Sequence, residues 1–348
     1  MQIELPISKS IANRWLMLQA IHGDELMPVS DSMPDDVQIL HNALTILRTF
    51  KTSKTLSTPH IDVGNCGTAM RFLTAYCAQL EGQTTILDGI ERMHHRPIGQ
   101  LVDALREIGA DIEYLGEEGF PPLRIKGCIL DKHKIVTINN PPSTQFVSAL
   151  LLIGANVQTN STSPYITLTR EMIEQYSLAS SPYRLSPIAL ERDWSSAAFW
   201  YEYVALHGGE ITLPGLFRSS IQGDKVVADI FANLGVQTYY TTDGVVISSS
   251  PLHPTPYTLH HDFVACPDLY PAVALTCERL GIQLHATGVE SLPLKESDRL
   301  RAVAEHRTDA DHRMAMALLI AGYEVDDTAC ISKSYPCFLD HLRQLYEK

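Results

Sequence analysis

The chain has 348 residues, a formal net charge of -13, 45% apolar residues and 19% charged residues. That length exceeds one ordinary core, so two domains are expected, and the composition is that of a globular enzyme rather than a disordered chain. The acidic balance argues against nucleic-acid or anionic-membrane binding, which call for basic surfaces, but it leaves room for a local basic pocket that takes a small anion. The seven Cys show neither C-x-x-C spacing nor a metal pattern, and read as free thiols of a reducing compartment. The opening Met1-Gln2-Ile3-Glu4-Leu5-Pro6 does not read as a signal peptide, and no apolar run reaches the roughly 18 residues of a membrane span, so a cytoplasmic protein is expected.

In chain order, six short segments pair a polar or charged cluster with an apolar helical pattern. They are Lys9-Ser10-Ile11-Ala12-Asn13-Arg14, Asn65-Cys66-Gly67-Thr68-Ala69-Met70-Arg71, Ser143-Thr144-Gln145-Phe146, Asp193-Trp194-Ser195-Ser196, Pro267-Asp268-Leu269-Tyr270 and Asp311-His312-Arg313-Met314. Ser, Thr and Asp cap helices by accepting their first free N–H groups, and helix starts attract anions. Between them a second pattern recurs. Residues 96–110 form an apolar helix ending on Gly109, with a strand at 111–114; residues 222–236 repeat the plan, with a strand at 237–240. Residues 296–305 begin a third copy that breaks off without its Gly stop or strand. Residues 84–87 and 245–248 alternate as strands. Helices and strands interleave in repeats, which predicts an α/β architecture. Residues 177–187 are the best linker candidate, and 52–59 and 251–256 read as loops.

Chemistry is sought first among cations. Lys9, Arg14, Arg71, Arg96, Lys295, Arg299, Arg313 and Lys333 lie in or beside these openings and loops rather than on regular polar helix faces. Arg grips carboxylate or phosphate through two parallel bonds and Lys acts as a point charge; the bland alternative is surface solubility. By residue pattern alone Asp268 reads first as an N-cap and Glu296 as a first-turn charge, and the pair also suits divided acid and base work. His312 serves a ligand or a cap. Gly67 admits close backbone approach or a turn, and Cys66 reads as a small buried thiol. His94 and His95 lack further ligands at metal spacing.

These residues, with Arg96-Pro97, Gln222-Gly223-Asp224, Lys295-Glu296-Ser297-Asp298-Arg299 and Lys333-Ser334-Tyr335-Pro336 in order, resemble the 5-enolpyruvylshikimate-3-phosphate synthase family of enolpyruvyl transferases over nearly the whole chain. The resemblance implies two similar domains, each of three βαβαββ units in an inside-out α/β barrel, with the active site in the interdomain cleft. It places one domain at 7–190 and the other at 1–6 plus 191–348, with an incomplete repeat near 305–310 and crossings at residues 6–9 and 190–194. It implies transfer of enolpyruvyl from phosphoenolpyruvate to the 5-hydroxyl of shikimate 3-phosphate, by addition and elimination, in a monomer needing no metal or organic cofactor. Catalysis would fall to Asp268, Glu296 and Lys9. Shikimate 3-phosphate would be bound by Lys9, Ser10, Arg14, Ser143, Thr144, Gln145, Tyr165, Asp268, Ser291 and Lys295. Phosphoenolpyruvate would be bound by Lys9, Gly67, Arg96, Gln145, Arg299, His312, Arg313 and Lys333.

The chain departs from the family pattern at several positions. Cys66 stands for a usual Ala, Phe72 for Pro, Thr144 and Thr162 for Ser, Ser291 for Asn, and Arg192 for Gly. Phe72 is expected to shift the helix that presents Gly67 and Thr68. The short stretch between Arg299 and Asp311 reads either as loss of part of a repeat or as residues missing from the sequence, and omission is preferred because loss leaves a sheet edge unpaired. Two rivals remain. Against a sister transferase acting on a UDP-amino sugar stand Lys9-Ser10 and the absence of Cys around residues 94–96; against an inactive phosphate-binding homologue stand Lys9, Asp268 and Glu296.

Overall fold

A computed structural model of the chain describes residues 1–52, 58–178, 191–250 and 257–346. The expected loop at 251–256 lies outside these, as do most of the 52–59 loop and the 177–187 linker, and Leu190 of the second crossing. The chain divides into two compact units: an amino-terminal one of residues 10–30 and 36–188, and a carboxy-terminal one of residues 1–9, 31–35 and 189–348.

The amino-terminal unit is built from α1 (Lys9–His22), α2 (Asp35–Thr52), β1 (His60–Asp62), α3 (Gly67–Ala78), β2 (Thr84–Asp88), α4 (Glu91–His94), α5 (Gly99–Glu107), β3 (Asp111–Tyr114) and β4 (Leu123–Lys126), then β5 (Ile135–Thr137), α6 (Gln145–Leu152), β6 (Asn156–Gln158) and α7 (Pro164–Leu178). One sheet has the order β1-β2-β4-β3, with β1 parallel to β2 and the other pairings antiparallel, which is a complete βαβαββ repeat. Along β4, Leu123 and Ile125 point inward while Arg124 and Lys126 face solvent, the two-residue period of a half-buried strand. β5 and β6 form only a parallel pair. The apolar α6 packs between α3 and α7.

The carboxy-terminal unit continues with α8 (Trp194–His207), β7 (Glu210–Pro214), α9 (Val227–Ala232), β8 (Val236–Tyr240), β9 (Gly244–Ser249), β10 (Thr258–Asp262), α10 (Tyr270–Leu280), β11 (Gln283–Thr287), α11 (Arg299–Glu305), α12 (His312–Ile320) and α13 (Phe338–Tyr346). The antiparallel sheet β7-β9-β8 gains the chain start through a parallel bridge from Gln2 to Thr212. α8 is apolar on all sides and buried at Trp194, Phe199, Trp200 and Tyr201, so it is the centre of this unit's core.

All six openings begin helices, α10 through a short 3-10 turn, Pro267–Leu269. The 96–110 and 222–236 segments give α5 and α9, and both end at a left-handed glycine, Gly109 (φ 102°) and Gly235 (φ 86°), before β3 and β8. The division of the chain differs from the expected 7–190 boundary. Residues 7–9 belong to the carboxy-terminal unit, because Ile7 bridges Arg192, Ser8 N–H donates to Glu191 C=O at 2.8 Å and Asp193 N–H donates to Pro6 C=O at 3.0 Å. Residues 31–35 join it too, and Ser332 Oγ donates to the Asp35 carboxylate.

The third copy is short in the folded chain as well. α11 ends at His306 (φ 51°), and a turn with Asp309 (φ 47°) and Ala310 (φ 56°) in the left-handed region leads straight into α12. In the 348-residue sequence this repeat is short, and α11 is followed directly by α12.

Candidate active site

Chemistry-bearing side chains gather into one cluster in the carboxy-terminal unit and two groups in the amino-terminal unit. In the carboxy-terminal unit, the turn after β10 aims Asp268 away from the capping role. Its carboxylate takes Arg299 NH1 at 2.7 Å and Lys295 Nζ at 3.4 Å on one oxygen, and Arg313 NH2 at 2.9 Å on the other. Glu296 accepts from Arg299 NH2 at 3.1 Å and pairs with Lys333 Nζ at 3.1 Å. Asp311 closes the chain of charges from behind. One of its oxygens caps α12 by accepting Arg313 N–H at 2.9 Å, and the other takes Arg299 Nε at 2.8 Å and Ser297 Oγ at 3.1 Å. Arg299, 1% exposed, is thereby held by three carboxylates. A buried charge persists only when its donors are matched in this way.

The electrostatics follow from burial and neighbours. Burial alone raises the Asp268 carboxyl, but Arg313, Lys295 and Arg299 outweigh it and hold the group well below the usual carboxylate range. Asp224 shows the opposite balance. Burial and the Asp268 charge push its carboxyl up to about 7, against the pull of Arg313, while one oxygen is hydrogen-bonded to Ser195. Asp193 is also raised by burial, although Arg313, Ser196 and Lys9 pull it down; it caps α8 by accepting Ser196 N–H at 3.1 Å and Ser196 Oγ at 2.6 Å. His312 is fully buried, with both ring nitrogens lacking a hydrogen-bond partner. Burial, then the charges of Lys9 and Arg313, press its pKa well below 6.5, so the ring is neutral.

In the amino-terminal unit, α1 buries Arg14 among neutral acceptors: Thr169 Oγ1 at 2.7 Å, Ser10 C=O at 2.9 Å, and Ser148 Oγ and Tyr165 C=O at 3.2 Å. Its guanidinium lies over the rings of Phe72 at 5.5 Å and Tyr165 at 5.9 Å. Burial lowers its pKa to about 10. Among the described residues no carboxylate is paired with it. At the start of α3, Arg71 and Arg96 converge on Gly67. Arg71 NH1 donates to Gly67 C=O at 3.2 Å and NH2 to Pro97 C=O at 3.1 Å, while Arg96 NH1 donates to Asn65 C=O at 3.4 Å. Gln145, opening α6, donates to Thr68 Oγ1 at 2.8 Å, and its own N–H donates to Ser143 Oγ at 3.3 Å.

Of the residues singled out in the sequence, direct contacts join Asp268, Lys295, Glu296, Arg299, Arg313 and Lys333, with His312 close enough to feel the charge of Lys9. Arg14, Ser10 and Tyr165 form a second group, and Gly67 and Arg96 a third, next to Thr68 and Gln145. Ser291 precedes the 3-10 turn Leu292–Leu294 and makes no side-chain cap bond, and the Thr144 side chain likewise does not cap α6. Cys66 is a buried thiol that caps α3 by accepting Ala69 N–H at 3.4 Å. The sequence reading passed over Thr68, Asp193, Asp224, Asp311, Ser148 and Thr169 as site residues and left Arg71 undecided. Arg71 was legible from its i, i+4 spacing to Gly67; the others depend on distant chain segments. Among the described residues no group of three or more His, Cys, Asp or Glu is placed to hold a metal ion, and no helix is long and apolar enough to cross a membrane.

The family model for EPSP synthase (3-phosphoshikimate 1-carboxyvinyltransferase) matches residues 1–306 and 303–342. The chain is 37% identical to a 3-phosphoshikimate 1-carboxyvinyltransferase of Bacteroides fragilis over 400 aligned positions, covering 98% of this chain and 94% of that one. It is 30% identical to the enzyme of that name from Colwellia psychrerythraea, covering 99% and 96%. A solved EPSP synthase of Acinetobacter baumannii superposes with a TM-score of 0.67 at 19% identity, covering 99% and 95%, which shows a shared fold. The 400 aligned positions exceed the chain's 348 residues, and the two stretches of the family match overlap at 303–306, the last turn of α11 and its C-cap.

Proposed function

The chain belongs to the EPSP synthase family, and from that premise we propose how its residues move the enolpyruvyl group of phosphoenolpyruvate to the 5-hydroxyl of shikimate 3-phosphate, releasing phosphate in the shikimate route to aromatic amino acids. The observation that carries the proposal is Asp268, a carboxylate fixed by Arg299, Arg313 and Lys295, with Glu296 tied to Arg299 and Lys333. Both substrates are anions. When their phosphate and carboxylate groups draw on these cations, Asp268 loses the charges that depress it and its proton affinity rises. It then takes the 5-hydroxyl proton as that oxygen bonds to C2 of phosphoenolpyruvate. A proton from Glu296, with Lys9 assisting, reaches the methylene carbon. Elimination returns that proton to the enzyme, breaks the bond to phosphate and restores the double bond.

Arg14, with Ser10, Ser143, Thr144, Gln145, Tyr165, Ser291 and Lys295, would hold shikimate 3-phosphate. Arg96 at Gly67, with Gln145, Arg299, His312, Arg313 and Lys333, would hold phosphoenolpyruvate. Preorganised cations of this kind stabilise charge that develops during the reaction. The finer arrangement implied by the resemblance, two similar domains with the substrates in the cleft between them, belongs to the same proposal, as does a cytoplasmic location. Phosphate release in the presence of both substrates tests the reading. Asp268→Asn should lower kcat about 10²–10⁴-fold and leave shikimate 3-phosphate affinity within a few-fold; full turnover in this variant would remove Asp268 from the mechanism.

A further inference from the structure

In the amino-terminal unit β1 and β2 run parallel and in register, so Asp62 and Asp88 end them side by side. Each carboxylate shapes the turn that leaves its strand. Asp62 Oδ1 accepts Gly64 N–H at 2.7 Å, on the way to Gly67 and α3, and Asp88 Oδ1 accepts Gly89 N–H at 2.7 Å, on the way to α4 and Arg96. The two turns touch, because Ile90 N–H donates to Gly64 C=O at 3.1 Å. Gly67 and Arg96 thus stand on neighbouring turns beyond the carboxyl ends of parallel strands, where open α/β sheets place their ligands.

Arg96 depends on the main chain beneath it. Its guanidinium makes a long bond of 3.4 Å to Asn65 C=O, and its Nε is buried without a partner. Its own N–H donates to Met93 C=O at 3.0 Å, so it continues the turn of α4. That helix is a single turn, too short to hold itself, and its N-cap Ile90 supplies no side-chain bond. Buried Met93, and Pro97 through its C=O on Arg71 NH2 at 3.1 Å, fix the inner side of the segment. His94 fixes the outer side, with Nε2 donating to Asp88 Oδ1 at 2.8 Å. We propose that His94 is a positioning residue: its bond to Asp88 holds α4 in place and thereby sets the Arg96 guanidinium at Gly67 to receive phosphoenolpyruvate. The inference rests on the reading that Arg96 and Gly67 hold that substrate.

Two neighbouring histidines show why His94 is the one that matters. The side chains of His94 and Asp88 are 31% and 28% exposed, so water screens their bond less than that of a pair on the open surface. His95 pairs with Glu91 at 3.3 Å where both are well exposed, and an ion pair of that kind contributes little. His60, also well exposed, reaches the other Asp88 oxygen at 3.5 Å. Partial burial raises the Asp88 carboxyl, but the bonds from His94, Gly89 and His60 outweigh it and hold the group below the usual carboxylate range. An ionised carboxylate only accepts, so His94 Nε2 carries the proton of the bond.

Two variants of His94 separate the bond from mere polarity. Gln puts an amide N–H where Nε2 stands; Asn puts one where Nδ1 stands, and Nδ1 faces Glu91 at 3.9 Å. In steady-state phosphate release by the full chain, His94→Asn should raise KM for phosphoenolpyruvate about 3–10-fold with kcat and shikimate 3-phosphate affinity little changed. His94→Gln should restore the wild-type KM, and His95→Asn should leave it unaltered. A purely structural role would instead lower kcat and the melting temperature in both His94 variants alike. If His94→Asn fails to fold, His94→Ala makes the same comparison. Arg96→Lys tells the inference from the reading beneath it. Alone it should raise KM for phosphoenolpyruvate, and in its background His94→Asn should add little, because both act through one guanidinium. A wild type that releases no phosphate, or an unchanged KM in Arg96→Lys, removes the reading and the inference with it. A raised KM in Arg96→Lys to which His94→Asn adds its full effect overturns the inference alone. So does a His94→Asn variant with the wild-type KM, or a His94→Gln variant as impaired as His94→Asn.

Discussion

At Gly67 an added Cβ would lie 2.6 and 2.7 Å from the Arg96 guanidinium nitrogens and 2.7 Å from Arg71 NH1. These atoms end flexible side chains, so Gly67→Ala should fold normally and act by pushing the guanidinium groups off their positions. The expected outcome is a rise in KM for phosphoenolpyruvate of about 10-fold with little change in shikimate 3-phosphate binding; steady-state kinetics and thermal melting check both halves. Glu202 is a different case. It lies in the middle of α8, fully buried, and neither carboxyl oxygen has a hydrogen-bond partner. Burial pushes its pKa well above 4.5, so it is protonated in the folded chain. A carboxyl raised on folding stabilises fully only below its unfolded pKa, and stability falls as pH rises from there through the folded value. Glu202→Met should therefore stabilise the carboxy-terminal unit by about 1–3 kcal/mol at neutral and alkaline pH, with the gain fading toward the unfolded pKa of about 4.5; urea titrations across pH measure it. The sequence shows Glu202 only as a Glu in a helix, because burial depends on what packs around α8.

Helix starts were the most legible elements. A polar cap followed by apolar spacing is local chemistry, and each of the six openings begins a helix or the turn leading into one. Strands that alternate, such as β2 and β9, were legible for the same reason. Capping roles were less so. Asp268 has the sequence of an N-cap, yet its side chain is taken by Arg299 and Arg313, residues more than 30 positions away. Asp311 performs both duties, capping α12 and neutralising buried Arg299. Loss of the cap alone costs about 1 kcal/mol, and stranding part of a buried charge costs about 3–5 kcal/mol. Both Asp311→Ala and Asp311→Asn remove the charge that neutralises Arg299, so both should lower the urea midpoint of the carboxy-terminal unit, Asp311→Ala further because it also loses the cap. An Asp311→Asn midpoint equal to that of the wild type would mean that Asp311 does not neutralise Arg299.

On the scale of the whole chain, the proposed ligand residues divide between two units, with Arg14, Gly67, Arg96 and Gln145 in one and Asp268, Glu296, Arg299 and Arg313 in the other. If both clusters serve one substrate pair, ligands become thermodynamically linked. Binding of a phosphoenolpyruvate analogue should tighten about 5–150-fold when shikimate 3-phosphate is present, and the reverse titration should show the same factor; independent affinities by calorimetry would contradict it. The sequence by itself determined the α/β class, the helix starts, the Gly stops after α5 and α9 and, through the ordered motifs, the family, because these rest on residues close together in the chain. It also marked the break after Arg299. Only the tertiary structure decided that the break is a tight left-handed turn, that residues 7–9 belong with the carboxy-terminal unit, and that Asp268, Asp311 and Glu296 share one buried arginine. Those outcomes depend on which distant side chains must neutralise or hydrogen-bond one another once water is excluded, and spacing along the chain does not encode that.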